Sequence, residues 1–435
     1  AAVVIAEQLA YGADHLVQAV DLRDDSPLEL ISGAIDLSDG SAFWSLEAQC
    51  PAAVAAALES GEQPPSIRVT INGITWAFIV ESIDAPQAFA STVVKIRGRS
   101  LAAAADAPWQ PVAQWLMDAP TTAAQAATLA QTASGLEVRW QAADWLIPAG
   151  ALSVSATGFG VISALAQSIS AVVEADADGY GVRVSSRYAR APNLWAASAP
   201  DWQIHWNAIE SSSSRRNDTP DYDSVLVTGQ QQGGLLLARA AGTSGSAQAP
   251  MVSDPLLTDL PALQERASVV LWSAGRSADV VRTLQLGPQG YVPRGAIVRF
   301  VDPAETWCGM VRSVSIRFEF AKVRQTIGIE RRLSFPAGTV APDPLLVLTI
   351  PPAGKVGQVA NGVVAMAGGT GSVPFTLSCS PAASITPSSG TLTVEAPSMA
   401  YTILPASVGD HSVTIVNSAG LYAQAVARRI AGYRA

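Results

Sequence analysis

Along most of the chain, apolar and polar residues alternate in short runs separated by Gly, Pro, Asn and Ser, a pattern that predicts antiparallel strands. The clearest case is a hairpin in which Ile67–Ile71 and Ile74–Val80 flank Asn72-Gly73. A type I′ turn favours that pair because both central residues need positive φ. Ser91–Arg97 alternates as a further strand, so residues 20–100 predict an antiparallel barrel or curled sheet. From Leu101 the period changes. Ala-rich stretches follow, and Thr122 with Gln125 forms a capping box opening a helix that ends at Gly135. Strands are expected at Leu136–Trp140 and Leu152–Ser155, a second helix at Gly160–Ser170, and a hairpin at Asp178-Gly179.

Residues 207–223, with a Ser-Ser-Ser-Ser-Arg-Arg run, read as a polar loop. Strands resume at Ser224–Thr228, and Asp259–Ala274 carries apolar residues at helical spacing. Arg282–Leu286, Ala296–Val301, Gly309–Phe318 and Gln325–Glu330 then predict a second barrel-like unit. The run Val340-Ala341-Pro342-Asp343-Pro344 reads as a rigid linker. Beyond it, six short strands between Leu345 and Asn417 recur at the spacing of a small immunoglobulin-like sandwich without a Cys–Trp–Cys core. The expected fold is therefore mainly β with an α+β insertion. Its expected domains are a first barrel (1–100), the insertion (101–206), a second barrel (207–339) and a sandwich (340–435).

Composition narrows the function. Hydrophobic residues make up 49% of the chain and charged residues only 14%, well below the ~25% of an ordinary soluble domain. Much of the surface must then be neutral Ala, Ser, Thr, Gln and Gly, which suits burial against other subunits. A net charge of −9 opposes a nucleic-acid grip, which needs clustered Lys and Arg. No run approaches the ~20 apolar residues of a membrane span. The Ala-Ala-Val-Val-Ile-Ala start has no basic region and no initiator Met, so a longer parent chain is expected. Cys50, Cys308 and Cys379 show no metal-ligand or disulfide spacing and are expected as reduced, buried thiols.

Each motif that suggests chemistry has a plainer reading. Gly158-Phe159-Gly160 with Ser163 falls short of a dinucleotide fingerprint and reads as a tight turn opening a helix. Glu174, Asp176, Asp178 and Gly179 mimic the start of a calcium loop, but position twelve is Ser185, so an Asp-Gly turn is expected. His15, His205 and His411 lie far apart, and Gly242–Ser246 reads as a flexible loop. Trp195, Trp202 and Trp206 suggest either a sugar-stacking platform or, more commonly at such density, core or interface. No catalytic, cofactor-binding or metal-binding residue is assigned, and the protein is expected not to be an enzyme.

Three sets of segments carry a resemblance. The first is Ile35–Leu37 and Phe43–Leu46 with Val69–Trp76 and Ile96–Ser100. The second is Asp144–Gly150 with Val182–Tyr188 and Pro192, and the third is Val292–Gly295 with Gly309–Ser313. Their order resembles the baseplate hub, or tail-tip hub, family of tailed bacteriophages over about 320 residues. The 405–420 run resembles the closing strands of bacterial and phage immunoglobulin-like domains. The resemblance implies two tail-tube-like barrels and a homotrimer that adapts a sixfold tube to threefold symmetry. It implies a virion protein, assembled in the host cytoplasm, around a lumen through which DNA passes without specific binding. Distal tail or tube subunits, the tape-measure protein and tip or fibre proteins are the implied partners. The lysozyme module and iron–sulfur cysteines of some members have no counterpart motif here, so no cofactor is expected. The rival readings are a surface adhesin or carbohydrate-binding protein and a hydrolase with a cryptic pocket.

Overall fold

A computed structural model describes residues 2–5, 15–60, 64–85, 93–230, 234–240, 243–287, 289–319 and 322–334. Beyond these it describes 345–349, 360–367, 372–380, 384–393, 398–404, 409–417 and 422–430. The first hundred residues supply β1 (Val3–Ile5), β2 (Val17–Asp21), β3 (Pro27–Leu28), β4 (Ser32–Leu37) and β5 (Ser45–Pro51). Next come α1 (Ala52–Glu59), β6 (Ser66–Ile71), β7 (Ile74–Asp84) and β8 (Val93–Ser100). Asn72 and Gly73 join β6 to β7 with φ of 51° and 84°, as a type I′ turn requires. Trp76 through Val80 are all buried, so β7 reads as a continuous apolar run because both of its faces are covered. The Ala-rich stretch of α1 is helical, where an all-strand unit was expected. Ala and Leu side chains, which dominate this run, lose little on entering a helix, and Ala55 and Leu58 bury one of its faces.

The insertion contains β9 (Ala113–Leu116), β10 (Thr121–Thr122), α2 (Ala123–Ser134), β11 (Glu137–Trp140) and β12 (Leu146–Ile147). It continues with β13 (Ser153–Ala156), α3 (Gly158–Ser168), β14 (Val172–Ala175) and β15 (Gly181–Ser185). The capping box is present: Gln125 N donates to Thr122 Oγ1 (3.3 Å) and Thr122 N to Gln125 Oε1 (3.0 Å). Gly135 closes α2 in the left-handed conformation. β14 and β15 form the expected antiparallel pair around Asp178-Gly179, and β11 joins β15 in parallel.

The chain returns through β16 (Trp202–His205) and β17 (Ile209–Asn217). Most of the expected polar loop 207–223 is thus a strand. One edge of its backbone is satisfied by pairing with the later strand 277–285, although its side chains bury little. Next come β18 (Ser224–Thr228), β19 (Leu235–Arg239), β20 (Gln248–Ser253) and α4 (Leu260–Ser273), capped by Asp259. Val225, Val227, Leu236, Leu257, Leu263 and Ala267 from this stretch share one core with α2 and α3. The core therefore crosses the 206/207 line drawn from the sequence. β21 (Ser277–Gln285), β22 (Ile297–Val301), β23 (Thr306–Glu319) and β24 (Lys322–Arg332) complete the region.

One fourteen-stranded sheet joins what were expected as two barrels. Its long path runs β17-β21-β24-β23-β4-β5-β8-β7-β6-β2-β3, and β22, β16 and β1 branch from β23. Among the described residues no first-to-last pairing closes either part into a barrel. The physical reason is the bond between the units: β4 pairs along the outer half of β23, Leu37 with Val314 through Ser32 with Glu319.

The two halves of this sheet repeat each other. β4-β5-β8-β7-β6 and β17-β21-β24-β23-β22 have the same order, with every corresponding neighbour pair antiparallel. Ser66 pairs with Ile79 as Ile297 pairs with Met310, and Ser82 with Arg97 as Ser313 with Gly328, each a shift of 231 positions. A bulge falls between Val80 and Ser82 and again between Val311 and Ser313. At this shift Arg68, Thr75, Trp76, Val80, Ser82 and Ile96 meet Arg299, Thr306, Trp307, Val311, Ser313 and Ile327. The likeness stops at the next strand, since β2 runs antiparallel to β6 whereas β16 runs parallel to β22.

Beyond residue 344, β25 (Leu345–Thr349), β26 (Ala360–Ala367), β27 (Ser372–Ser380) and β28 (Ser384–Thr386) come first. β29 (Ser389–Thr393), β30 (Ser398–Leu404), β31 (Gly409–Asn417) and β32 (Tyr422–Ile430) follow. They form two four-stranded antiparallel sheets, β25-β26-β30-β28 and β29-β27-β31-β32, with Phe375 and Leu377 buried. The linker 340–344 and the Cys379 and His411 side chains lie outside the described residues.

Candidate assembly interface

The residues that hinted at chemistry are taken up by structure. Gly158 opens α3 against α2, where a Cβ would stand 3.0 Å from Ala130 O, and Thr157 Oγ1 accepts from Gly160 N (3.0 Å). The glycine allows close helix packing rather than a cradle for phosphate. Glu174 bonds Arg294 (3.0 Å) and Arg183 (3.3 Å), and Asp176 bonds Arg139. These carboxylates line a cleft of about 250 Å³ with Trp44, Arg183, Tyr291 and Pro293. Burial, then the Glu174 charge, pushes the Tyr291 hydroxyl up to about 12, with Arg183 opposing, so it stays neutral. Among the described residues no three His, Cys, Asp or Glu side chains gather as a metal site.

The remaining candidates also separate. His15 lies 3.1 Å from the Asn72 amide nitrogen, and His205 lies 3.1 Å from that of Gln203. The Ser244 and Ser246 hydroxyls bond each other (2.7 Å), and Asp223 accepts from Gly245 N (2.9 Å). Trp195 and Trp202 are core, whereas Trp206 is 58% exposed. A three-ring sugar platform is therefore not assembled. Cys50 is buried and Cys308 half-buried, both as free thiols. No helix among the described residues is long and apolar enough to cross a membrane.

What the structure offers instead is sheet edges and a cross-braced junction. Arg294, almost wholly buried, sits between the sheet and the insertion. Its guanidinium donates to Ser38 O (3.3 Å), Ser41 O (2.6 Å), Val173 O (2.9 Å) and the Glu174 carboxylate (3.0 Å). At one end of the long sheet path lies β17, whose Ser211–Arg216 side chains are all exposed and which, among the described residues, pairs with β21 alone. Polar and basic residues on such an edge keep it from pairing indiscriminately while leaving its backbone groups available. At the other end, β3 is two residues long and begins with Pro27, which blunts that edge. The sequence reading missed β17 because a run of four serines carries no period. It missed the repeat although the shared Thr-Trp at 75–76 and 306–307 marked it.

Over about three quarters of the chain this architecture is similar to solved structures. A tail protein from Neisseria meningitidis MC58 aligns over 75% of this chain and 99% of its own, with a TM-score of 0.54 and 13% identity. The fold is that of phage tail proteins. The 43 kDa tail protein of prophage MuSo2 from Shewanella oneidensis aligns over 72% of this chain and 97% of its own, with a TM-score of 0.50 and 10% identity. No protein-family model matches the sequence, and no curated protein does. At such identities the tail-protein likeness is one of fold. It extends over nearly the whole of both neighbours, which leaves about a quarter of this chain unmatched.

Proposed function

We propose that this chain is a structural baseplate or tail-tip hub protein, three copies of which close the end of a phage tail tube. The observation that carries this reading is the repeat of a five-strand unit at a 231-residue shift within one chain. Three copies set around an axis present six like units to a sixfold tube while keeping threefold symmetry below, where tip or fibre proteins attach. The two units are the tube-like parts of the regions 1–100 and 207–339, each completed by contact with neighbours rather than closed within itself. A net charge of −9 gives DNA few partners for phosphate contact, which suits a lumen through which it slides. The tape-measure protein occupies that lumen before ejection. Residues 340–435 form an immunoglobulin-like sandwich outside the ring.

Native mass measurement and electron microscopy of the purified chain with its cognate tube protein test the reading. A threefold ring seated on the tube end is expected. A stable monomer that ignores the tube and binds glycans would replace the hub with the adhesin reading.

A further inference from the structure

The repeat also indicates which strands two copies share. Among the described residues, one strand pairing joins the first five-strand unit to the second: β4 lies along the outer half of β23. β22 covers only the inner half of β23, where Val311 N donates to Ala296 O (3.0 Å), and β4 takes over from Val314. β7 shows the same arrangement 231 positions earlier. β6 covers its inner half, Val80 N donates to Pro65 O (2.8 Å), and β8 occupies its other side. Among the described residues, Ile83 and Asp84 have no strand partner on the β6 side. The element equivalent to β4 is β17, at the free end of the sheet.

We infer that β17 of one copy pairs antiparallel with the outer end of β7 in the next, reproducing between chains the β4–β23 contact found within each. This contact rests on the threefold reading above and makes it a head-to-tail ring. The register follows from the template. Asp36 lies opposite Ser45 as Arg215 lies opposite Asp279, and Ser45 and Asp279 face Arg99 and Glu330, which correspond at the 231 shift. Arg215 is therefore the counterpart of Asp36 and Arg216 of Leu37. Since Leu37 faces Val314 and Asp36 faces Ser315, Arg216 falls opposite Ile83 and Arg215 opposite Asp84. An exposed guanidinium thus meets a carboxylate that is 51% exposed and already touches Arg97 at 3.0 Å. Neither the repeat nor the register used charge, so their agreement with a cation–anion pair is independent support.

Paired cysteines test the contact in the full chain. Arg215→Cys with Asp84→Cys, directly opposite across an antiparallel pair, fall within disulfide reach. Mild oxidation is expected to give covalent oligomers closing at trimer on a non-reducing gel, while either single variant stays uncrosslinked. Arg215→Glu is expected to weaken association several-fold by sedimentation, and added Asp84→Lys to restore it. A trimer that neither crosslinks nor responds to Arg215→Glu overturns this contact and leaves the threefold reading standing. A chain that remains monomeric in every form overturns both.

Discussion

Glu81 and Glu330 occupy equivalent positions only after a swap of charge. At the bulge of the first unit Glu81 takes both bonds of a fork from Arg99 (2.7 and 2.9 Å). In the second, Arg312 sits at the bulge and reaches back to Glu330 (2.9 Å). An aromatic donor completes each pair, Trp109 Nε1 on Glu81 (3.1 Å) and Tyr188 Oη on Glu330 (2.8 Å). The outcomes differ because the burial differs. Burial raises the Glu81 carboxyl, but bonds from Arg99 and Trp109 outweigh it and hold the group below the usual range. For Glu330, burial wins over Tyr188 and Arg332, and the carboxyl lies above that range. The Glu81 pair therefore adds stability above the unfolded carboxyl value of about 4.3, and this is lost as pH falls through the lower folded value. The Glu330 contribution is fully present below about 4.3 and is lost as pH rises through its higher folded value. Urea midpoints from pH 7 down to pH 3 should show Glu81→Gln losing less stability than the parent on acidification, and Glu330→Gln losing more.

Among elements, the β7–β8 pair leaves little room. A Cβ at Gly98 would stand 2.3 Å from Ile79 O, so the strands pass closer there than any other residue permits. The corresponding residue of the second unit is Ile329, and the small residue there is Gly309, whose Cβ would meet Ile329 Cγ2 at 2.5 Å. Gly98→Ala should lower stability by about 1–3 kcal/mol, the cost of forced overpacking, read as a lower urea midpoint with unchanged slope. Elements of this kind were legible where local rules act. Asn72-Gly73, the Thr122 box and the α4 apolar face announced a turn and two helices from the sequence alone. β17 was not legible, because a strand of exposed serines is held by its partner's backbone rather than by its own side chains. The joining of two units into one sheet was hidden too, since β4 and β23 are nearly three hundred residues apart. The candidate interface was the least legible part, because it depends on which backbone edges remain unpaired after folding.

At the scale of the molecule, Arg294 braces sheet against insertion alongside apolar packing such as Phe43 on Phe159. Removing its guanidinium strips Glu174 of its buried partner and leaves Ser38, Ser41 and Val173 carbonyls without that donor. Arg294→Ala should cost about 3–5 kcal/mol, as for other broken buried pairs. Faster amide exchange should be confined first to residues 38–41 and β14. The insertion itself is made of two separate pieces of chain, 101–200 and 218–276, folded onto one core. The backbone accordingly crosses between sheet and insertion four times, after β8, before β16, after β17 and before β21. A pull that separates the two bodies is shared among four covalent strands in parallel. Under load the chain behaves as a braced frame, in which no single linker can serve as the hinge.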